Sequence, residues 1–81
     1  MADSHTSIRT ATAADAPALA HLAEHTFRDA FAEQNTPEDL DLYCAGAFSE
    51  QQQLREIVDP RIVTLLVERS ALLAGYAQLK L

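Results

Sequence analysis

The stretch 62–81 constrains this chain more than any other, because it reads as two β-strands with only a turn between them. Ile62–Glu68 and Leu72–Leu81 are the strands, and Arg69-Ser70-Ala71 is the turn. In the second strand Leu73, Gly75, Ala77, Leu79 and Leu81 fall on one face and Ala74, Tyr76, Gln78 and Lys80 on the other, the period of two of a half-buried strand. The first strand is β-branched and apolar on both faces, which predicts a central strand covered on two sides. The second strand has no later strand to pair with before Leu81. An apolar edge with a row of unpaired backbone groups invites association with another copy or another chain. The chain therefore reads as unfinished.

The remainder predicts helices that cover this hairpin. Residues 1–7 form a polar leader, and Ser7-Ile8-Arg9-Thr10-Ala11-Thr12 is a short strand candidate. Thr12 and Asp15 stand in a capping arrangement, while Pro17 suits a helix whose cap is Asp15 itself. The first helix runs to about Phe31 with Leu19, Leu22, Ala23, Thr26, Phe27, Ala30 and Phe31 along one stripe, and Glu24 is placed to pair with Arg28. Thr36-Pro37-Glu38-Asp39 opens a second helix carrying Leu40, Tyr43, Cys44 and Ala47, which weakens at Gly46 to Phe48. Ser49 with Gln52 opens a third, with Leu54, Ile57 and Val58 as its inner face, and Asp59-Pro60 stops it. The order is β-α-α-α-β-β, a mixed α/β chain with an antiparallel sheet under covering helices.

Charge and size narrow the function. Eighty-one residues with 48% apolar side chains give one small folded unit whose core is marginal. A net charge of −6 disfavours nucleic acid and anionic membrane surfaces and is compatible with a cationic substrate. The lone Cys44 excludes an internal disulfide, and neither a signal peptide nor a membrane-spanning run is visible, so a cytoplasmic protein is expected.

His21-Leu22-Ala23-Glu24-His25 matches the H-x-x-E-H pattern of inverted zincins. A catalytic zinc needs a third protein ligand and a shaped cavity, whereas this pair lies opposite the apolar stripe on a chain with little room for a cleft. No catalytic metal is expected. Cys44 falls near the inner face of the second helix, where cysteine packs. Phe27, Phe31, Tyr43 and Phe48 cluster around the loop between the first two helices, as core or as the wall of a substrate pocket. Gly75 predicts a bulge or a close backbone approach, and a lone glycine there or at Gly46 makes no phosphate-binding loop.

The ordered whole carries more than its pieces. Ile8-Arg9-x-Ala11-Thr12-x-x-Asp15, the helix ending Thr26-Phe27-x-x-x-Phe31, Thr36-Pro37-Glu38-Asp39-Leu40-x-x-Tyr43, Phe48-Ser49, and Leu66-Val67-Glu68 followed by Leu73-Ala74-Gly75-Tyr76-Ala77-Gln78-Leu79 resemble the N-terminal half of a GNAT-superfamily N-acetyltransferase. The resemblance spans residues 8–81 and departs at the turn, where Ser70-Ala71 replaces the usual Asp-Gly. It implies acetyl transfer from acetyl-CoA to a primary amine, with a partial GNAT fold and an acceptor pocket bordered by the stretch from Phe31 to Tyr43. Phe31 and Tyr43 are the substrate-binding candidates. In that family a loop of the form Arg/Gln-x-x-Gly-x-Gly/Ala at a helix N-terminus holds the cofactor's pyrophosphate, and no such loop occurs before Leu81. The 81 residues alone are therefore expected to bind no acetyl-CoA and to be inactive, as a front-half fragment. The catalytic base is not assigned. The rival readings are a non-catalytic fragment or interaction module that completes its sheet through Leu72–Leu81, and a small helical partner-binding protein.

Overall fold

The structure, a computed structural model, describes residues 5–81; Met1–Ser4 of the leader lie outside them. A five-residue strand β1 (Thr6–Thr10) precedes a short 3₁₀ turn at Ala13–Asp15 and three helices: α1 (Ala16–Phe31), α2 (Pro37–Ala47) and α3 (Glu50–Val58). The hairpin β2 (Ile62–Arg69) and β3 (Leu72–Lys80) closes the order. Strand formation thus begins at Thr6, inside the predicted leader, and stops at Thr10. The mixed α/β fold predicted from the sequence is the fold observed. All three strands are antiparallel in the order β1-β2-β3, so β2 is central as predicted.

Local chemistry sets the helix starts. The Thr36 hydroxyl accepts a hydrogen bond from the Asp39 N–H at 3.1 Å with Pro37 in the first turn, and Ser49 does the same for Gln52 at 3.1 Å. At α1 both predicted capping devices operate at different points. Asp15 occupies the cap position, yet its carboxylate turns back to accept from the Thr12 N–H at 2.7 Å. The Asp15 N–H donates to the Thr12 carbonyl at 2.9 Å, which closes the 3₁₀ turn.

That carboxylate is also the anchor of a cross-element tie. Arg9 of β1 donates from both terminal guanidinium nitrogens to Asp15 at 2.8 Å each, and its Nε donates to Glu68 of β2 at 3.0 Å. The bidentate pair locks the start of α1 onto the sheet. Hydrogen bonds from Arg9 and from the Thr12 backbone hold the Asp15 carboxyl well below the usual carboxylate range.

The helices cover one face of the sheet only. Leu19 and Leu66 are fully buried with Ala11, and Ile57, Leu73 and Tyr76 pack against them. The opposite face presents Ile8, Val63, Leu65, Val67, Ala77 and Leu79, of which Ile8 is 67% and Leu79 53% exposed. Two-sided cover for β2 was predicted from its apolar residues; within residues 5–81 that second cover is not present. The radius of gyration, 13.9 Å, exceeds the roughly 12 Å of a compact chain of this length, as a one-sided sandwich should.

Two further expectations need correction. Strand β3 does not alternate without interruption. The register passes from Glu68↔Leu73 to Val67↔Gly75, so Ala74 is an unpaired extra residue, a β-bulge beside the glycine that predicted one. Leu73 therefore shares the helix-covered face with Tyr76 and Gln78, while Gly75, Ala77 and Leu79 take the open one. In α3, Leu54 and Val58 are exposed, and the inner face is Gln53, Glu56 and Ile57. Polarity is tolerated there because it is satisfied. Gln53 donates to the Ala47 carbonyl at 3.0 Å, and Glu56 accepts from Gln52 and from Gln78 of β3, both at 2.8 Å.

Candidate functional site

The aromatic residues picked out by the sequence meet in one cluster where α1 ends and α2 runs past it. Phe27 lies at its centre. Its ring centroid is 4.6 Å from Phe31, 4.7 Å from Tyr43 in a stacked pair, and 5.4 Å from Phe48, while Tyr43 meets Phe48 edge-on at 5.9 Å. Spacing of i and i+4 places Phe27 and Phe31 on one side of α1. Helix α2 brings Tyr43 to them from its second turn, and Phe48 follows as its C-terminal cap residue.

Exposure divides these rings. Phe27 and Phe48 are half-buried, whereas Phe31 is 39% and Tyr43 54% exposed. Phe27 is thus the hub of the cluster rather than part of the buried core. Phe31 and Tyr43 present ring surface at the rim. Cys44, adjacent in sequence, turns the other way and is buried as a free thiol.

The two helices are held in register here by Arg28. Its Nε donates to Glu24 at 2.9 Å and its Nη2 to Asp41 of α2 at 2.8 Å. Asp41 first, and Glu24 after it, push the guanidinium further above its usual range. The arginine is thereby committed to α1 and α2. Glu33, Glu38 and Asp39 line the same connection and are exposed. Exposed ring surface attracts a cation through its quadrupole, and exposed acids on the same connection add long-range attraction. No described residue in the cluster pairs a nucleophile with a base.

The residues 5–81 do not fit a pyrophosphate. Such a group needs free N–H donors at a helix N-terminus. Here α1 and α2 carry proline in the first turn, α2 adds Glu38 and Asp39, and α3 begins with Glu50. His21 and His25 are exposed on α1. Among the described residues no group of three or more His, Cys, Asp or Glu side chains is placed to hold a metal ion, and no helix is long and apolar enough to cross a membrane.

Two constellations were not foreseen from the sequence, the Arg9–Asp15–Glu68 tie and the Glu56–Gln78 contact. The second had a signal: a glutamine alternating with Tyr76 on a strand whose other face is alanine and leucine.

The fold itself has a solved counterpart. The structure superposes with a TM-score of 0.85 on the PaiA N-acetyltransferase from Thermoplasma acidophilum, a structure in complex with coenzyme A. The superposition covers 94% of this chain and 50% of that one, at 22% identity. The chain thus spans half the length of that protein and shares its fold over that half. No family model matches the sequence, and no curated protein is significantly similar to it. The arrangement is GNAT-like.

Proposed function

We propose that residues 8–81 are the acceptor-facing half of an N-acetyltransferase that moves the acetyl group of acetyl-CoA onto a primary amine. One observation carries this reading: 94% of the chain superposes on an N-acetyltransferase whose structure contains coenzyme A. The aromatic cluster supports the division of labour within it. Phe31 and Tyr43 offer ring surface to the alkyl part of an amine, and Glu33, Glu38 and Asp39 draw its charge. The cofactor's phosphates, which residues 5–81 do not fit, fall to residues outside this stretch. A cytoplasmic setting suits a chain whose one cysteine is free and buried.

The test is a coupled assay on the natural product that carries these residues, with acetyl-CoA and a panel of mono- and polyamines, following free thiol. Tyr43→Ala should raise KM for the amine and leave KM for acetyl-CoA unchanged. Absence of amine-dependent thiol release, or a Tyr43 effect on the cofactor alone, would refute the reading.

A second reading has its own observation. Within residues 5–81, β3 pairs on one side only and an apolar sheet face lies open, which suits an interaction module that completes its sheet with another chain. Inactivity of the natural product together with concentration-dependent association through β3 would favour this second reading.

A further inference from the structure

The pair His21 and His25 has no part in the acceptor surface, and the sequence pattern that first drew attention to it is one of metal ligation. We propose that the two imidazoles form an exchangeable two-nitrogen chelate for a borderline divalent transition-metal ion on the exposed side of α1 that borders β3. Helix α1 is unbroken from Ala16 to Phe31, so residues four apart stand one turn above the other on one face. Both histidines are exposed.

Their surroundings support ligation on three counts. The Asp29 carboxylate lies 3.3 Å from His25 Nε2. A carboxylate beside one ring nitrogen is the usual outer-shell partner of a ligating histidine and orients its ring. Next, the pair stands between two concavities. One of about 290 Å³ is walled by Ala18, Leu22 and Leu73 along with the two histidines. The other, about 140 Å³, is walled by the histidines with Glu24 and Arg28. Finally, the one permanent cation at that second concavity is neutralised, because Arg28 is bonded to Glu24 at 2.9 Å and to Asp41 at 2.8 Å.

Donor chemistry sets the ion class. Two imidazoles without thiolate or a carboxylate cage favour Cu²⁺, Ni²⁺ and Zn²⁺ over Mg²⁺ and Ca²⁺. With no third ligand placed among the described residues, water fills the remaining positions. The site is open and exchangeable, unlike a closed structural or catalytic zinc centre.

The experiment is titration of the chain with Ni²⁺ at neutral pH, read by calorimetry and by the imidazole resonances in NMR. The third histidine, His5, is the internal control. One saturable site is expected. His21→Asn and His25→Asn should each weaken it by at least about tenfold, since loss of an outer-shell partner alone costs ~10–100-fold. His5→Asn and substitution of Mg²⁺ for Ni²⁺ complete the contrast: the first should leave binding intact and the second should abolish it. Unchanged affinity in either α1 variant, an equal loss in His5→Asn, or equal binding of Mg²⁺ would overturn the proposal. Because both side chains are exposed, circular dichroism should show all variants folded.

Discussion

Ala71→Gly should stabilise this chain, by about 0.5–1 kcal/mol. The β2–β3 turn is made by Ser70 and Ala71 with φ of 54° and 67°, and no other described non-glycine residue has positive φ. Two residues in that region give the primed turn whose twist matches a two-residue hairpin, a geometry that Asn-Gly or Asp-Gly adopts without strain. The turn cannot relax into another type easily, because the Ser70 N–H donates to the His5 carbonyl at 2.8 Å and so ties it to the chain entering β1. For an L-residue with a Cβ the left-handed conformation costs about 1–2 kcal/mol. Glycine removes that cost but returns about 0.4–1 kcal/mol through the greater freedom of the unfolded chain. The difference leaves the stated gain. With a urea m-value of ~1 kcal/mol/M for so small a chain, the midpoint should rise by about 0.5–1 M. Ala77→Gly is the control, on the adjoining strand β3 at an exposed position with ordinary φ. There glycine should cost about 0.5–1 kcal/mol. A midpoint that falls in Ala71→Gly, or moves as Ala77→Gly does, would refute the strain argument.

Other perturbations separate the remaining roles. Phe27→Ala, at the hub of the ring cluster, should cost about 2–3 kcal/mol in urea unfolding, less than the ~3–5 of a fully buried ring because Phe27 is half-exposed; Tyr43→Ala should cost about 1 kcal/mol or less, and equal losses would remove the distinction between hub and rim. Acid should destabilise the chain partly through Asp15: its carboxyl is held low in the fold, so it contributes stability above the unfolded value near 4 and loses it as pH falls towards the folded value. Urea midpoints measured between neutral pH and pH ~3 should therefore fall less steeply in Asp15→Asn than in the parent chain. Calorimetry of the 81 residues with acetyl-CoA should show no binding, since proline and acids occupy the helix N-termini and the net charge is −6; micromolar affinity would reveal a phosphate site in this stretch. Sedimentation at two concentrations should show self-association driven by β3, and a strictly monomeric chain would count against the open edge.

Most of the layer plan was legible because it is written in local chemistry. Thr36-Pro37 and Ser49 with Gln52 mark their helix starts within a residue, and the β-branched run from Ile62 identifies the central strand. Side-chain facing was less legible where a choice depends on partners distant in sequence. Gln53 and Glu56 face inward only because the Ala47 carbonyl and Gln78 wait for them. A periodic search for apolar residues prefers Leu54 and Val58 instead. The Arg9–Asp15–Glu68 tie was beyond such a search as well, since it joins residues 59 apart. At the candidate site the aromatic residues could be grouped from their positions, but which ring is hub and which is rim follows from how α2 crosses α1.

The bulge at Ala74 has a consequence for insertions and deletions. A strand has a phase, and one residue more or less reverses the side of everything beyond it. Ala74 has already absorbed such a reversal: Leu73 before it and Tyr76 after it both face the helices across an interval of three. Excising Ala74 would leave a regular strand in which Leu73, Tyr76 and Gln78 keep their sides. Excising Ala77 instead would swing Gln78 away from Glu56 and onto the open face, stranding a carboxylate that now accepts from it at 2.8 Å. Length variation in β3 is thus tolerable at one place and damaging a few residues further on. Substitutions at Ala74, which is exposed and unpaired, should pass with little effect. The strand carries one spare character, and it sits next to Gly75.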